Sequence, residues 1–166
     1  ITIDPTSALA EQTSYYVHID ATAFDDASSN TYAGITDKTS WNFTSADETA
    51  PTISSVSLAS DNSTIAVTFS EAVYTTTDAA TALVVGDFAF SISGGTATLS
   101  SATPSSISIS GNVYTLGISL SGTPDGSETL TVNPASATAI YDAGNNASTA
   151  SQSNNTATLN DQTAPS

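Results

Sequence analysis

Oxygen is the ligand chemistry this sequence offers, because sixteen Asp and Glu face a single Lys/Arg residue and one His across 166 residues, with no Cys. Carboxylates and amides gather at Asp25, Asp26 and Asn30, at Asp47 and Glu48, at Glu71, at Asp142 and Asn145, and at Asp161. The ion that suits such groups is calcium, a hard cation taking roughly six to eight oxygens from carboxylates, amides and carbonyls; zinc lacks its usual nitrogen and sulfur ligands here. Two candidate sites follow. One draws on Asp47, Glu48, Glu71 and the loop carrying Asp25, Asp26 and Asn30, and the other on Asp142, Asn145 and Asp161.

Catalysis finds little to work with. General acid–base or nucleophilic chemistry needs converging reactive groups, and the chain provides only His18, Lys38, carboxylates and hydroxyls. Asp25 and Asp26 are adjacent, and neighbours on an extended chain diverge rather than flank a glycosidic bond. His18 alternates with Tyr15, Val17 and Ile19, which assigns it and Tyr16 to the outward face of a strand. The reading is that the chain is not an enzyme.

The elements that must position these residues are strands. Ser and Thr number 28 each, and the strong helix formers are sparse, a balance that suits pleated, half-buried surfaces rather than helices. Hydrophobic residues at 39% suffice for a folded core. A formal charge of −15 repels nucleic-acid phosphates and anionic membrane surfaces, and no stretch is apolar enough to span a bilayer. With no cysteine, core packing, ladder hydrogen bonds or bound cations must stabilise the fold.

Alternation predicts strands at 53–58, 64–69, 87–92, 96–101, 105–110, 113–120, 128–133 and 155–160, with three more at 1–3, 15–19 and 41–44. Tyr114, Leu116, Ile118 and Leu120 occupy every second position of one of them. Turn residues separate the strands at Ser60-Asp61-Asn62-Ser63, Gly94-Gly95, Gly111-Asn112 and Pro124-Asp125-Gly126. Sequons begin at Asn42, Asn62, Asn146 and Asn154.

The chain also repeats itself. Asp47-Glu48-Thr49-Ala50-Pro51-Thr52 returns at Asp161-Gln162-Thr163-Ala164-Pro165-Ser166, 114 residues later, and Asp26-Ala27-Ser28-Ser29-Asn30 is echoed by Asp142-Ala143-Gly144-Asn145-Asn146. A period of this size fits one β-sandwich per repeat, joined by a proline-stiffened linker. The division is then residues 1–50 as the C-terminal half of a sandwich, 51–164 as a complete one, and 165–166 as the start of the next linker. In the loop of the first copy Ser28 replaces Gly144, and a left-handed turn at that position costs serine more than glycine.

Ala50-Pro51-Thr52, the strand Ile65–Val73 and the Asp-Ala-Gly-Asn run at 142–145 together resemble the bacterial immunoglobulin-like repeats of S-layer proteins and large surface adhesins. The resemblance implies an all-β chain of tandem Ig-like antiparallel sandwiches, the first incomplete, on the outside of a cell. It implies a spacer or filament module whose partners are neighbouring Ig-like repeats or identical subunits. The alternative is an adhesive module that binds surface glycans, with Tyr16 and Tyr32 as its aromatic pair.

Overall fold

Alternating apolar residues carry the chain into antiparallel ladders throughout. The computed structural model describes residues 2–165 and divides into two compact units, Ile1–Glu48 and Thr49–Ser166. Among the described residues there is no α-helix, and the one helical turn is a 3₁₀ segment at Val85–Asp87.

Among the described residues the first unit contains one sheet, of strands β1 (Ser14–Tyr16) and β2 (Asn42–Thr44), with Ser14 opposite Thr44 and Tyr16 opposite Asn42. The pairing continues irregularly. Val17 N–H donates to the Trp41 carbonyl at 3.0 Å, Ile19 and Ile35 exchange both backbone bonds at 2.9 and 2.8 Å, and Asp25 bridges Thr31 at the chain reversal. Tyr15, Val17 and Ile19 are half-buried while Tyr16 and His18 are exposed, the alternation read from the sequence. The strand expected over 15–19 is shorter, reduced to a lone bridge at Ile19. Of the strand expected at 1–3, Ile1 lies outside the described residues and Thr2 and Ile3 are not extended into a ladder, since a strand needs a neighbour to bond.

The second unit is a sandwich. One sheet has the order β3 (Ile53–Leu58), β4 (Thr64–Phe69), β8 (Val113–Gly117), β7 (Ile107–Ser110). The other is β11 (Thr156–Thr158), β10 (Thr129–Pro134), β5 (Phe88–Ser93), and a small pair joins β6 (Thr98–Leu99) to β9 (Leu120–Ser121). Period-two alternation aims one side of each strand inward, Ile65, Val67 and Phe69 from β4 and Leu130 and Val132 from β10, and all five join one buried cluster. Full burial of each such side chain contributes about 1.5–3 kcal/mol. Phe69, Phe88 and Tyr114 meet at its centre, with ring centroids 5.6 to 6.3 Å apart, and the Tyr114 hydroxyl donates to the Val73 carbonyl at 3.2 Å. This is the all-β, antiparallel, Ig-like sandwich architecture.

Several expected strands are shorter than predicted, for local reasons. The strand from 113 breaks at Gly117, where a Cβ would fall on the hydroxyls of Ser105 and Ser106. Beyond it the chain crosses to β6, Ser100 N–H donating to the Ser119 carbonyl at 2.8 Å. Asp87 does not open β5, because its carboxylate takes the Val84 N–H at 2.8 Å and closes the 3₁₀ turn.

Candidate metal-binding carboxylates

The acidic loops are built by hydrogen bonds that the acids themselves accept. In the first unit Asp26 Oδ1 accepts the backbone N–H groups of Ser28 at 2.8 Å and Asn30 at 2.9 Å, and Oδ2 accepts the Asn30 side-chain amide at 2.8 Å. Those donors, the Asn30 side chain first, hold the Asp26 carboxyl below its ordinary pKa. In the second unit Asp142 accepts the backbone and side-chain N–H groups of Asn146 at 2.7 and 2.9 Å. Backbone closure matches as well, from Asp26 N–H to the Asn30 carbonyl at 3.0 Å and from Asp142 N–H to the Asn146 carbonyl at 3.1 Å.

The left-handed residue of this loop is not the one predicted. It is Ser29 with φ 64° and Asn145 with φ 72°, the position after Ser28 and Gly144, so the Gly-to-Ser difference falls where the backbone imposes no such demand. The two loops differ in cover, for Asp142 has 0% exposure while Asp26 is exposed.

Within the first unit the candidate residues separate along the strands. In the first unit Asp47 accepts the Gln12 side-chain amide at 2.6 Å, beyond the Ser14–Thr44 end of the ladder. The loop of Asp25, Asp26 and Asn30 lies past the Ile19–Ile35 bridge at the other end, and Glu48 is exposed. In an antiparallel pair the reversal and the free termini occupy opposite ends, which tandem sequence adjacency conceals.

Asp142, Asn145 and Asp161 separate likewise. Ser148, which follows the Asp142 loop, donates through Oγ to the carbonyl of Pro51, just before β3. Asn160, next to Asp161, clasps Asn62 in the turn after β3, its N–H reaching Asn62 Oδ1 at 2.9 Å. Six residues of strand, about 20 Å, lie between the two ends. Asp161 instead accepts the Thr163 hydroxyl and N–H at 2.6 and 2.8 Å, which lowers its pKa, and Asn145 is exposed.

What the second unit does bring together is Glu71 and Asp142, assigned from sequence to different sites. Their carboxylate oxygens lie within 4.8 Å. The cause is the exchange of backbone bonds between Tyr74 and Tyr141, at 2.7 and 2.8 Å, which ties the segment after β4 to the loop.

One important carboxylate escapes a motif search. Glu128, with 0% exposure, accepts the N–H groups of Thr96 and Ala97 at 2.9 Å through Oε1, of Asp125 through both oxygens, and of Gly126 at 3.2 Å through Oε2. The signal for it is faint, an acid closing the Pro124-Asp125-Gly126 turn opposite Gly94-Gly95. These bonds, the one from Ala97 foremost, depress its pKa from 4.5 to about 2.

His18 packs its ring against Tyr16, 4.8 Å between centroids, and Lys38 Nζ stands 5.0 Å above the Tyr16 ring. Tyr32 instead meets Phe24 at 6.3 Å, so the two tyrosines suggested as a glycan platform have different partners. Of the four sequon asparagines, Asn62 is 3% exposed with its amide committed to Asn160, which leaves that sequon closed to modification in the folded chain.

A family model described as bacterial Ig-like domain matches residues 1–45, the greater part of the first unit. No curated protein and no solved structure matches the chain. Domains of the matched kind occur in bacterial surface proteins. Among the described residues no helix is long and apolar enough to cross a membrane.

Proposed function

We propose that this chain is a length of tandem Ig-like structural repeats from an extracellular bacterial surface or filament protein, whose work is spacing and assembly rather than catalysis. The observation that carries the reading is the recurrence of one backbone pattern in both units. Ser14, Tyr15 and Tyr16 pair with Thr44, Phe43 and Asn42 as Thr129, Leu130 and Thr131 pair with Thr158, Ala157 and Thr156. The Asp25–Thr31 bridge recurs as Tyr141–Ala147. The offsets stay between 114 and 116 residues (Asn42 to Thr156, 114; Ser14 to Thr129, 115; Asp26 to Asp142, 116). The match to the bacterial Ig-like family on the first unit supports the same reading.

Units related by such a repeat stack in one dimension and transmit load along the chain. Calcium belongs to the proposal, with Glu71 and Asp142 as the paired carboxylates that attract it in the second unit. S-layer or adhesin membership is part of the same proposal, with neighbouring repeats as partners.

Stretching the full-length protein in a force microscope tests the spacer role. Repeats of 114 residues hold roughly 380–410 Å of extended chain at about 3.3–3.6 Å per residue, so each unfolding event releases a recurring increment of that length less the folded span of the domain. A single irregular event with no recurring increment rejects the tandem reading.

A further inference from the structure

An edge strand offers unpaired N–H and C=O groups to any extended chain, and proteins blunt such edges with bulges, charges, covering loops or brevity. In the second unit β3 shifts register between Ile53 and Ser55 and gives its Ile53 N–H to the Gln152 side-chain carbonyl at 2.9 Å. At the margins of the other sheet, β5 gives its Phe90 N–H to the Ala102 carbonyl at 2.7 Å, and β11 spans three residues. The remaining edge, β7, is uncharged and pairs with β8 in unbroken register, from Ile107 opposite Leu116 to Ser110 opposite Val113. Its hairpin fixes which backbone groups face out. Gly111-Asn112 is a two-residue loop, so Ser110 and Val113 form the closing hydrogen-bonded pair, and the Gly117 N–H donating to the Ser106 carbonyl at 2.9 Å keeps the same phase. Ser106, Ser108 and Ser110 therefore turn their backbone toward β8, and Ile107 and Ile109 turn theirs outward, where among the described residues no backbone group meets them. The side chains of both isoleucines lie on the core face, opposite Leu116 and Tyr114, and Ile109 is left 45% exposed at the margin.

Charge decides what can approach this edge. The chain carries a formal −15, yet from Phe88 to Pro124 no residue is charged, a span that holds the whole of β7 and its flanks. Two copies repel each other over most of their surface and least where β7 meets β7. A basic partner would find no carboxylate on this edge to pair with, which leaves like meeting like. We infer that β7 is a self-pairing edge, to which a second copy of this chain adds its own β7 antiparallel about a twofold axis at Ser108, with Ile107 of each copy opposite Ile109 of the other. In that register the outward groups of the four isoleucines close four ladder bonds, each exposed Ile109 gains an Ile107 beside it on the core face, and serine faces serine on the outside. Such a contact is self-complementary by symmetry. One pair of short strands covers far less than the roughly 1,200 Å² of a lasting interface, so the contact is weak alone and gains strength when tandem copies engage together. As a mode of assembly the inference rests on the tandem-repeat reading and deepens it, while the pairing of one unit with another stands without it.

Sedimentation equilibrium of the 166-residue chain, from micromolar to millimolar and at low and high sodium chloride, tests this together with residue-resolved amide exchange. A reversible dimer is expected that strengthens with salt, since screening relieves the repulsion between two chains of −15 and leaves an uncharged contact intact. The Ile107 and Ile109 amides should exchange about tenfold more slowly or better in the dimer, while those of Ser108 and Ser110, already bonded to β8, change little. Ile109→Lys, at an exposed position, should remove the dimer even though it lowers the net charge of each copy. Val84→Lys, the same change at a residue 53% exposed on the segment before β5, should keep it. A chain that stays monomeric at millimolar concentration and high salt overturns the inference, and so does a dimer that survives Ile109→Lys or leaves the Ile107 and Ile109 amides as fast as in the monomer. The stretching measurement is independent: recurring contour increments from a chain whose units never pair reject this contact alone, and paired units without recurring increments reject the spacer reading alone.

Discussion

The Glu128 carboxylate receives the backbone N–H of Ala97 at 2.9 Å, and through that bond and its companions one acid organises the Gly94–Ala97 turn and the Asp125–Gly126 turn together. A folded-state pKa of about 2 against an ordinary 4.5 means the charged form is the one the fold selects. Its contribution is therefore complete above pH 4.5 and is lost as pH falls from there through 2. Asp26, Asp61, Asp78 and Asp161 are shifted in the same direction by their own hydrogen bonds. Thermal melts of the 166-residue chain should decline between pH 4.5 and 2, and Glu128→Gln should both lower the melting temperature at pH 7 by several degrees and flatten that decline. An unchanged acid limb in the variant counts against the assignment.

Gly95 sits at φ 57°, and a Cβ there would overlap the Glu128 side chain. Gly95→Ala combines left-handed strain with displacement of a buried carboxylate held by backbone N–H groups of both turns. The cost is about 2 kcal/mol or more by urea denaturation of the second unit. Gly111 also has φ 57° but nothing within 4 Å of a Cβ, so Gly111→Ala should show only the backbone strain, about 1–2 kcal/mol. Equal losses at the two positions would reject the carboxylate's part.

Much of this fold is legible in the residues themselves. Ile53–Leu58 and Thr64–Phe69 fall where alternation puts them; Thr64–Phe69 keeps a clean two-residue period, and Ile53–Leu58 keeps it from Ser55 on, after a register shift between Ile53 and Ser55. Strands at the sandwich margins were harder to bound, as at Gly117, because the crossing to β9 depends on a close approach of Ser105 and Ser106 that no periodicity encodes. The loop pair of Asp26 and Asp142 was legible as a repeated string, yet its left-handed residue was not, because a glycine attracts the prediction and Asn145 carries the conformation. The meeting of Glu71 with Asp142 depends on the Tyr74–Tyr141 bridge between segments nearly seventy residues apart, and sequence proximity says nothing about it.

Val17 and Val132 occupy equivalent positions with different cover, which makes the same substitution informative twice. Val132→Ala removes fully buried methyl groups and should cost about 2–3 kcal/mol in the second unit. Val17→Ala, half-buried in the first unit of the 166-residue chain, should cost less than about 1 kcal/mol. Residue-resolved exchange in denaturant separates the two units. Equal losses would mean that the face of Val17 is already covered in this chain.

Calcium and plain ionic strength make different predictions for a chain with a formal charge of −15. Screening by sodium chloride relieves general self-repulsion and raises the melting temperature gradually, whichever acids are present. A bound calcium ion adds a contribution that saturates, about 1.4 kcal/mol at ten times its Kd, or a few degrees in a unit of this size. Melts at matched ionic strength, with calcium and then with excess chelator, isolate that part. Glu71→Gln should abolish the calcium-specific rise and leave the salt response intact, since it removes one carboxylate of the Glu71–Asp142 pair and only a small share of the total charge. A calcium response that survives Glu71→Gln places the ion elsewhere, and the absence of any response beyond ionic strength leaves the acids as a screened surface.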